Sequence, residues 1–72
     1  MNRVSVVSSN VAEVGYDPET KTLEVAIVKG GVYQYAGIPM SIYNELLVAP
    51  SVGRYFDVNV KKAGYPVRKV AS

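Results

Sequence analysis

A diglycine, Gly30-Gly31, separates two β-type runs near the middle of the chain. Glycine tolerates positive φ and fits poorly inside a regular element, so the pair indicates a tight turn. In the preceding run, residues 22–28, apolar side chains occupy every second position, as in a half-buried strand. The run that follows, residues 32–36, therefore predicts the second strand of an antiparallel hairpin.

An earlier strand is indicated at residues 11–16, where every second side chain is apolar and shares one face. Residues 17–21 have the Asp and Pro chemistry of a turn, and they connect this strand to the next. Residues 4–7 are strand-prone, but the hydrogen-bonding side chains of residues 8–10 interrupt them. This first segment therefore predicts only an extended arm followed by a corner.

The hydrophobic period becomes helical at Pro39. Proline suits the first helical position, because its missing N–H has no partner there, and Pro50 ends the helix. Ser51 is a good N-cap for a second helix over residues 52–62, and Gly64 suits the end of that helix.

These elements predict one α+β domain over residues 1–72. It consists of a three-stranded antiparallel β-meander followed by two short helices packed on one face of the sheet. The tail, residues 65–70, has Pro66 early and allows a short C-terminal edge strand.

Composition removes most catalytic chemistry. The chain contains no cysteine and no histidine, which excludes disulfides and thiolate metal sites and removes the commonest general base. Its six acidic residues show neither metal-ligand spacing nor a close catalytic pair. We therefore expect a protein that is not an enzyme and that uses no cofactor and no metal.

Chain length bears on assembly and location. With 72 residues, a single small core offsets the lost chain entropy only narrowly, so we expect a homo-oligomer. The uncharged window between Lys29 and Glu45 is too short to span a bilayer. The apolar run after Arg3 is too brief for a secretion signal. We therefore expect a cytoplasmic protein with no membrane partner.

Cations gather near the C-terminal end, although the formal net charge is only +2. Lys61, Lys62, Arg68 and Lys69 occur there without an acidic residue. A basic end of this kind is compatible with a phosphate-bearing partner and equally with a solvated tail.

Ser51, Gly53 and Arg54 form a candidate phosphate site at the start of the second predicted helix. A cation in the first helical turn opposes the helix dipole, so Arg54 breaks the local rule. In one interpretation the backbone N–H groups hold an anion beside Arg54, and Gly53 allows its close approach. In the other, Arg54 is an exposed side chain beside an ordinary serine cap.

Tyr33 and Tyr35 share one face of the third predicted strand. In one interpretation these rings stack on nucleic-acid bases, and Lys61, Lys62 and Arg68 contact phosphates. The alternative is that the rings pack in the core and leave their hydroxyl groups at its rim.

Two valines, Val48 and Val58, fall on otherwise polar helix faces. Single exposed apolar residues are normal on protein surfaces. A pair of them nevertheless indicates a contact surface, either between subunits or with another protein.

Several short motifs follow one another in a combination that is fairly specific. They are Ser8-Ser9-Asn10, Gly15-Tyr16-Asp17, Gly31-Val32-Tyr33-Gln34-Tyr35, Ile38-Pro39 and Ser51-Val52-Gly53-Arg54-Tyr55-Phe56. Over roughly residues 3–66 the chain resembles the KTSC domain family, which is named for its appearance at the C-terminus of some lysyl-tRNA synthetases. The resemblance implies no catalytic residues, and the synthetase fusion implies RNA binding only by association.

Three functional hypotheses follow. The first is a non-catalytic module that binds a phosphate-containing ligand, with RNA as the leading candidate. The second is a homo-oligomer that binds or sequesters a small nucleotide-like ligand at its subunit interfaces. The third is a protein–protein interaction module that takes no ligand.

Overall fold

Five strands, two α-helices and one π-helical turn make up residues 2–72, the part of the chain described by the computed structural model. The strands are β1 (Arg3–Ser5), β2 (Val11–Asp17), β3 (Thr22–Ile27), β4 (Val32–Tyr35) and β5 (Val67–Ala71). The helices are α1 (Met40–Val48) and α2 (Val52–Phe56), and α2 continues directly into the π-helical turn (Asp57–Lys61).

All five strands form one antiparallel sheet in the order β1-β2-β3-β4-β5. The chain is therefore α+β, and the predicted meander forms the middle of the sheet. The C-terminal edge strand that the sequence allows is present, because the tail pairs with β4. The prediction missed one strand, because the N-terminal arm pairs with β2. Every residue of β1 and β5 is exposed. These edge strands therefore lack the alternation of buried and exposed positions that identifies a strand in sequence.

Gly30 and Gly31 turn the chain as predicted, but not because they need positive φ. In residues 2–72, positive φ occurs at Lys21, Gly37 and Gly64. A Cβ atom at Gly31 would overlap the backbone oxygen of Ala71. Gly31 is therefore needed because β5 runs so close to it.

Helix α1 begins one residue later than predicted. Pro39 is its N-cap, with extended dihedral angles of φ −63° and ψ 147°, and its carbonyl accepts from the N–H of Ile42 at 3.0 Å. At the other end, Ala49 is also extended, as expected for the residue before a proline.

The second helix is capped as predicted but is not uniform. Ser51 Oγ accepts from the backbone N–H of Arg54 at 3.4 Å. After Phe56 the backbone widens to π geometry, and the N–H of Lys62 donates to the oxygen of Asp57 at 2.9 Å. Gly64, at φ 89°, follows the end of this turn. No helix within residues 2–72 has the length and apolar character needed to cross a membrane.

The core lies between the helices and one face of the sheet. The buried apolar residues are Val11, Val14, Leu23, Val25, Tyr35, Ile38, Leu46, Val52, Phe56 and Val60. At one end of this layer the rings of Tyr16 and Tyr43 stack with centroids 5.2 Å apart. The Tyr16 hydroxyl also donates to the carbonyl oxygen of Ile38 at 2.5 Å, which ties β2 to the segment leading into α1.

Candidate functional site

A cleft of about 890 Å³ lies between the β4 and β5 side of the sheet and the helical segment formed by α2 and the π-helical turn. It brings together five of the eight ligand-binding residues predicted from sequence. These are Tyr33, Tyr35, Gly53, Arg54 and Lys61. The antiparallel sheet presents the two tyrosines on its helix-covered face, and the helical segment supplies the other three residues.

Tyr33 supplies the accessible aromatic ring of the cleft. Its side chain is half-buried, and the ammonium group of Lys69 lies 5.9 Å from the ring centroid. This is within the range of a cation–π contact. Lys69 reaches Tyr33 because the two residues are direct partners in the register of β4 and β5.

Tyr35 is part of the core, and its ring face is not available for stacking on a base. The residue is 5% exposed, and its ring meets that of Phe56 edge to face with centroids 5.6 Å apart. Burial raises the pKa of the Tyr35 phenol, and the neighbouring Tyr33 raises it further. Tyr35 therefore forms the floor of the cleft.

The π-helical turn separates the roles of two adjacent lysines. Residues five apart lie above one another in π geometry, and Lys62 Nζ accordingly lies 3.0 Å from Asp57 Oδ2. Lys61, one position earlier, lines the cleft instead. Lys62 was predicted to contact phosphate, but in this structure its charge is paired with Asp57.

Two serine hydroxyls lie close to the predicted anion site at the start of α2. Ser51 Oγ caps the helix through Arg54 N–H. A Cβ atom at Gly53 would lie 3.0 Å from Ser8 Oγ, so the close approach that Gly53 permits is made by the corner between β1 and β2. Arg54 is exposed and lines the cleft, where its guanidinium adds positive charge.

Arg68 lies on the opposite face of the sheet from Tyr33, because its register partner is Gln34. Ser51, Lys62 and Arg68 are not among the residues that line the cleft.

Two site residues were not predicted from the sequence: Asn10, which lines the cleft, and Lys69, which lies over the Tyr33 ring. The signal for Lys69 is its pairing with Tyr33, which requires knowledge of the β5 register.

The cleft can hold a flat ring against Tyr33 and can neutralise negative charge with Arg54, Lys61 and Lys69. One acidic residue, Asp57, also lines the cleft, and it is paired with Lys62. The apolar floor and the nearby cations are suited to a ligand that combines a base with phosphate. In the described chain, residues 2–72, no three Asp or Glu side chains are grouped so as to hold a metal ion.

Comparison with known proteins places this fold among described relatives. The chain is 38% identical to a KTSC domain protein from Yersinia pestis, whose crystal structure superposes with a TM-score of 0.89 over 96% of each chain. It is 40% identical over 65 residues to an uncharacterized protein of Stutzerimonas stutzeri (strain A1501), covering 90% of this chain and 92% of the relative.

A longer relative also contains this sequence pattern. A lysine–tRNA ligase of Nostoc sp. (strain PCC 7120) is 39% identical over 46 residues, which is 64% of this chain and only 8% of the ligase. The family model of the KTSC domain matches residues 7–65. Because this match and the full-length relatives cover most of the chain, the protein belongs to the KTSC domain family.

Proposed function

We propose that this protein is a non-catalytic binding module for a phosphate-containing ligand, and that the ligand is single-stranded RNA. The observation that carries the proposal is the cleft that joins the Tyr33 ring to three cations, Arg54, Lys61 and Lys69. Bases of any sequence can stack on an aromatic ring, and nearby cations neutralise the connecting phosphates.

The positions of the ring and the cations around the cleft suit this use. Tyr33 lies on the sheet, whereas Arg54 and Lys61 come from the helical segment on the other side of the cleft. A nucleotide whose base stacks on Tyr33 would therefore have cations on both sides of its phosphate. Lys69 has a long flexible side chain, so it can leave the ring face and follow a phosphate when a base takes its place.

The relatives add support by association. The lysine–tRNA ligase of Nostoc contains a segment similar to this chain, and that enzyme is named for a tRNA substrate. The similar segment is a small part of the ligase. RNA is therefore the natural first ligand to test, by association with that name.

The test is fluorescence anisotropy with a short labelled single-stranded RNA at low salt, using variants of Tyr33. Tyr33→Ala removes the ring and is expected to weaken binding by about 1–3 kcal/mol, the usual worth of one stacked base. Tyr33→Phe keeps the ring face and should bind nearly as well as the unmodified protein. Lys29→Gln serves as a control because it removes a cation from the β3–β4 turn, outside the cleft.

Two results would contradict the proposal. One is no binding of single-stranded RNA at low salt by the unmodified protein. The other is equal affinity of Tyr33→Ala and Tyr33→Phe, which would mean that the ring plays no part in RNA binding. Circular dichroism of each variant checks that the fold is retained.

A second candidate is a small nucleotide bound in the same cleft. The volume of about 890 Å³ falls within the usual range for small-molecule sites. It is present in a single chain, so a subunit interface is not needed to create it. Native mass spectrometry with mono-, di- and cyclic nucleotides tests this candidate, and the same spectra report whether the protein is a homo-oligomer.

A further inference from the structure

One row of directly opposed residues crosses the sheet on the face away from the helices. Each of the five strands contributes one residue, and the register pairs them in sequence. The row consists of Arg3, Gly15, Glu24, Gln34 and Arg68. We call it the open-face row.

Side-chain contacts connect this row from one edge of the sheet to the other. Arg3 Nε lies 3.4 Å from Glu13 Oε1 and 3.5 Å from Glu24 Oε2. Arg3 can reach Glu24 across β2 because Gly15 lies between them. A Cβ atom at Gly15 would come within 3.0 Å of Arg3 Cγ.

The second half of the row fixes the orientation of an amide. Gln34 Nε2 donates to Glu24 Oε1 at 2.8 Å, and Arg68 Nη2 donates to Gln34 Oε1 at 3.0 Å. Because an ionised carboxylate only accepts hydrogen bonds, Glu24 requires the NH₂ group of Gln34, and the oxygen of the amide must then face Arg68. One N–H of the Arg68 guanidinium is thus directed at Gln34.

Charge is unevenly balanced along the row. The carboxylates of Glu13 and Glu24 are both paired with Arg3. Arg68 meets only the neutral amide of Gln34, and within residues 2–72 it makes no ion pair with a carboxylate. The β5 end of the row therefore has a positive charge that no carboxylate pairs with. Arg68 also has N–H groups besides the one that donates to Gln34.

A depression of about 260 Å³ lies beside this guanidinium. Thr22, Ala36, Pro66 and Val67 form its walls together with Gln34 and Arg68. The N–H of Ala36 donates to the oxygen of Pro66 at 2.9 Å, which fixes the wall where β5 begins. Thr22 Oγ1 accepts from Thr20 Oγ1 at 2.9 Å, so its own proton is left for another acceptor.

We propose that this depression is a second binding site, which takes a small oxyanion, either phosphate or carboxylate. The remaining N–H groups of Arg68 would donate to two oxygens of the anion, and the Thr22 hydroxyl would donate one further hydrogen bond to an anion oxygen. The site lies on the opposite sheet face from Tyr33 and Lys61. It therefore neither requires nor excludes RNA binding in the cleft.

The test is an NMR titration of the ¹⁵N-labelled protein with sodium phosphate and, separately, with sodium acetate. Sodium chloride at matched ionic strength provides the reference. Saturable shifts are expected at the backbone amides of Thr22 and Ala36 and at the Nε–H of Arg68. Arg68→Lys keeps the charge but removes the planar donor fork, so these shifts should be lost. Lys29→Gln, which removes a cation at the far end of β3, should retain them.

Saturation with phosphate, with acetate or with both supports the site and identifies the oxyanion it prefers. Shifts that grow without saturation, or that match those in chloride, would overturn it. So would saturable shifts at the Thr22 and Ala36 amides, the two readouts that Arg68→Lys retains, if they persist in that variant. Shifts centred on Lys61 and Arg54 would assign the anion to the cleft and would likewise refute a site on the open face.

Discussion

The buried phenol of Tyr35 is a source of pH dependence at alkaline pH, because its pKa is higher in the folded protein than in the unfolded chain. Its ring packs against Phe56, and burial raises its pKa above the ordinary value of 10.0, with Tyr33 as the second cause. The unfolded chain ionises first as pH rises. The stabilisation associated with neutral Tyr35 is therefore fully present below pH 10.0 and is lost as pH rises through the higher pKa of the folded state.

Tyr35→Phe should consequently reduce the loss of stability at alkaline pH. The phenylalanine keeps the edge-to-face contact with Phe56 but has no proton to lose. Urea unfolding of both proteins at neutral pH and again above pH 10.0 measures the effect. The difference in unfolding free energy should move in favour of Tyr35→Phe as pH rises. Parallel losses in the two proteins would mean that Tyr35 does not control this pH dependence.

Elements with alternating burial could be predicted from their period. The exposed strand β5 was predicted only as an allowed edge strand, and β1 was predicted only as an extended arm. Strands β2, β3 and β4 have apolar side chains on the helix-covered face, so their period is visible. Strand β1 has three exposed residues and carries no such period.

The same distinction applies to the site. The sequence predicts that Tyr33 and Tyr35 share a face, but not that Phe56 covers only Tyr35. It shows Lys61 and Lys62 as equivalent cations, whereas the π-helical turn pairs only Lys62 with Asp57. Lys69 enters the site through strand register, which depends on the backbone partner rather than on the residue itself.

Attachment of β5 depends on Gly31. A Cβ atom there would overlap the oxygen of Ala71 and would lie 2.5 Å from Lys69 Cε. Since a backbone oxygen moves only with its strand, Gly31→Ala should displace the end of β5 and destabilise the protein by about 1–3 kcal/mol, as overpacking does elsewhere. Chemical denaturation measures the free energy, and hydrogen exchange of the β5 amides reports local opening.

Gly30→Ala is a matched control for this prediction. Its added Cβ atom would meet Ile27 Cγ2 at 3.3 Å, a contact that a small movement of that side chain relieves. Its unfolding free energy should stay within about 0.5 kcal/mol of the unmodified protein. Equal effects of the two substitutions would show that the close approach of β5 to Gly31 is not the constraint.

Across the whole molecule, the net charge of +2 understates how the charges are separated. On the open face of the sheet, Arg3 pairs with both Glu13 and Glu24. On the helix side, Asp57 lines the cleft but is paired with Lys62, whereas Arg54 and Lys61 line the cleft as cations. A weakly charged protein can therefore present a locally positive cleft to a polyanion.

This separation makes the salt dependence of RNA binding the best measure of how many cations take part. Each phosphate that a cation neutralises releases counterions, so affinity falls linearly with salt on logarithmic axes. Lys61→Gln should reduce that slope by about 1, because it removes one phosphate contact. Lys29→Gln changes the net charge equally but lies outside the cleft, and its slope should match that of the unmodified protein. If both substitutions change the slope alike, the RNA responds to total charge rather than to the cleft.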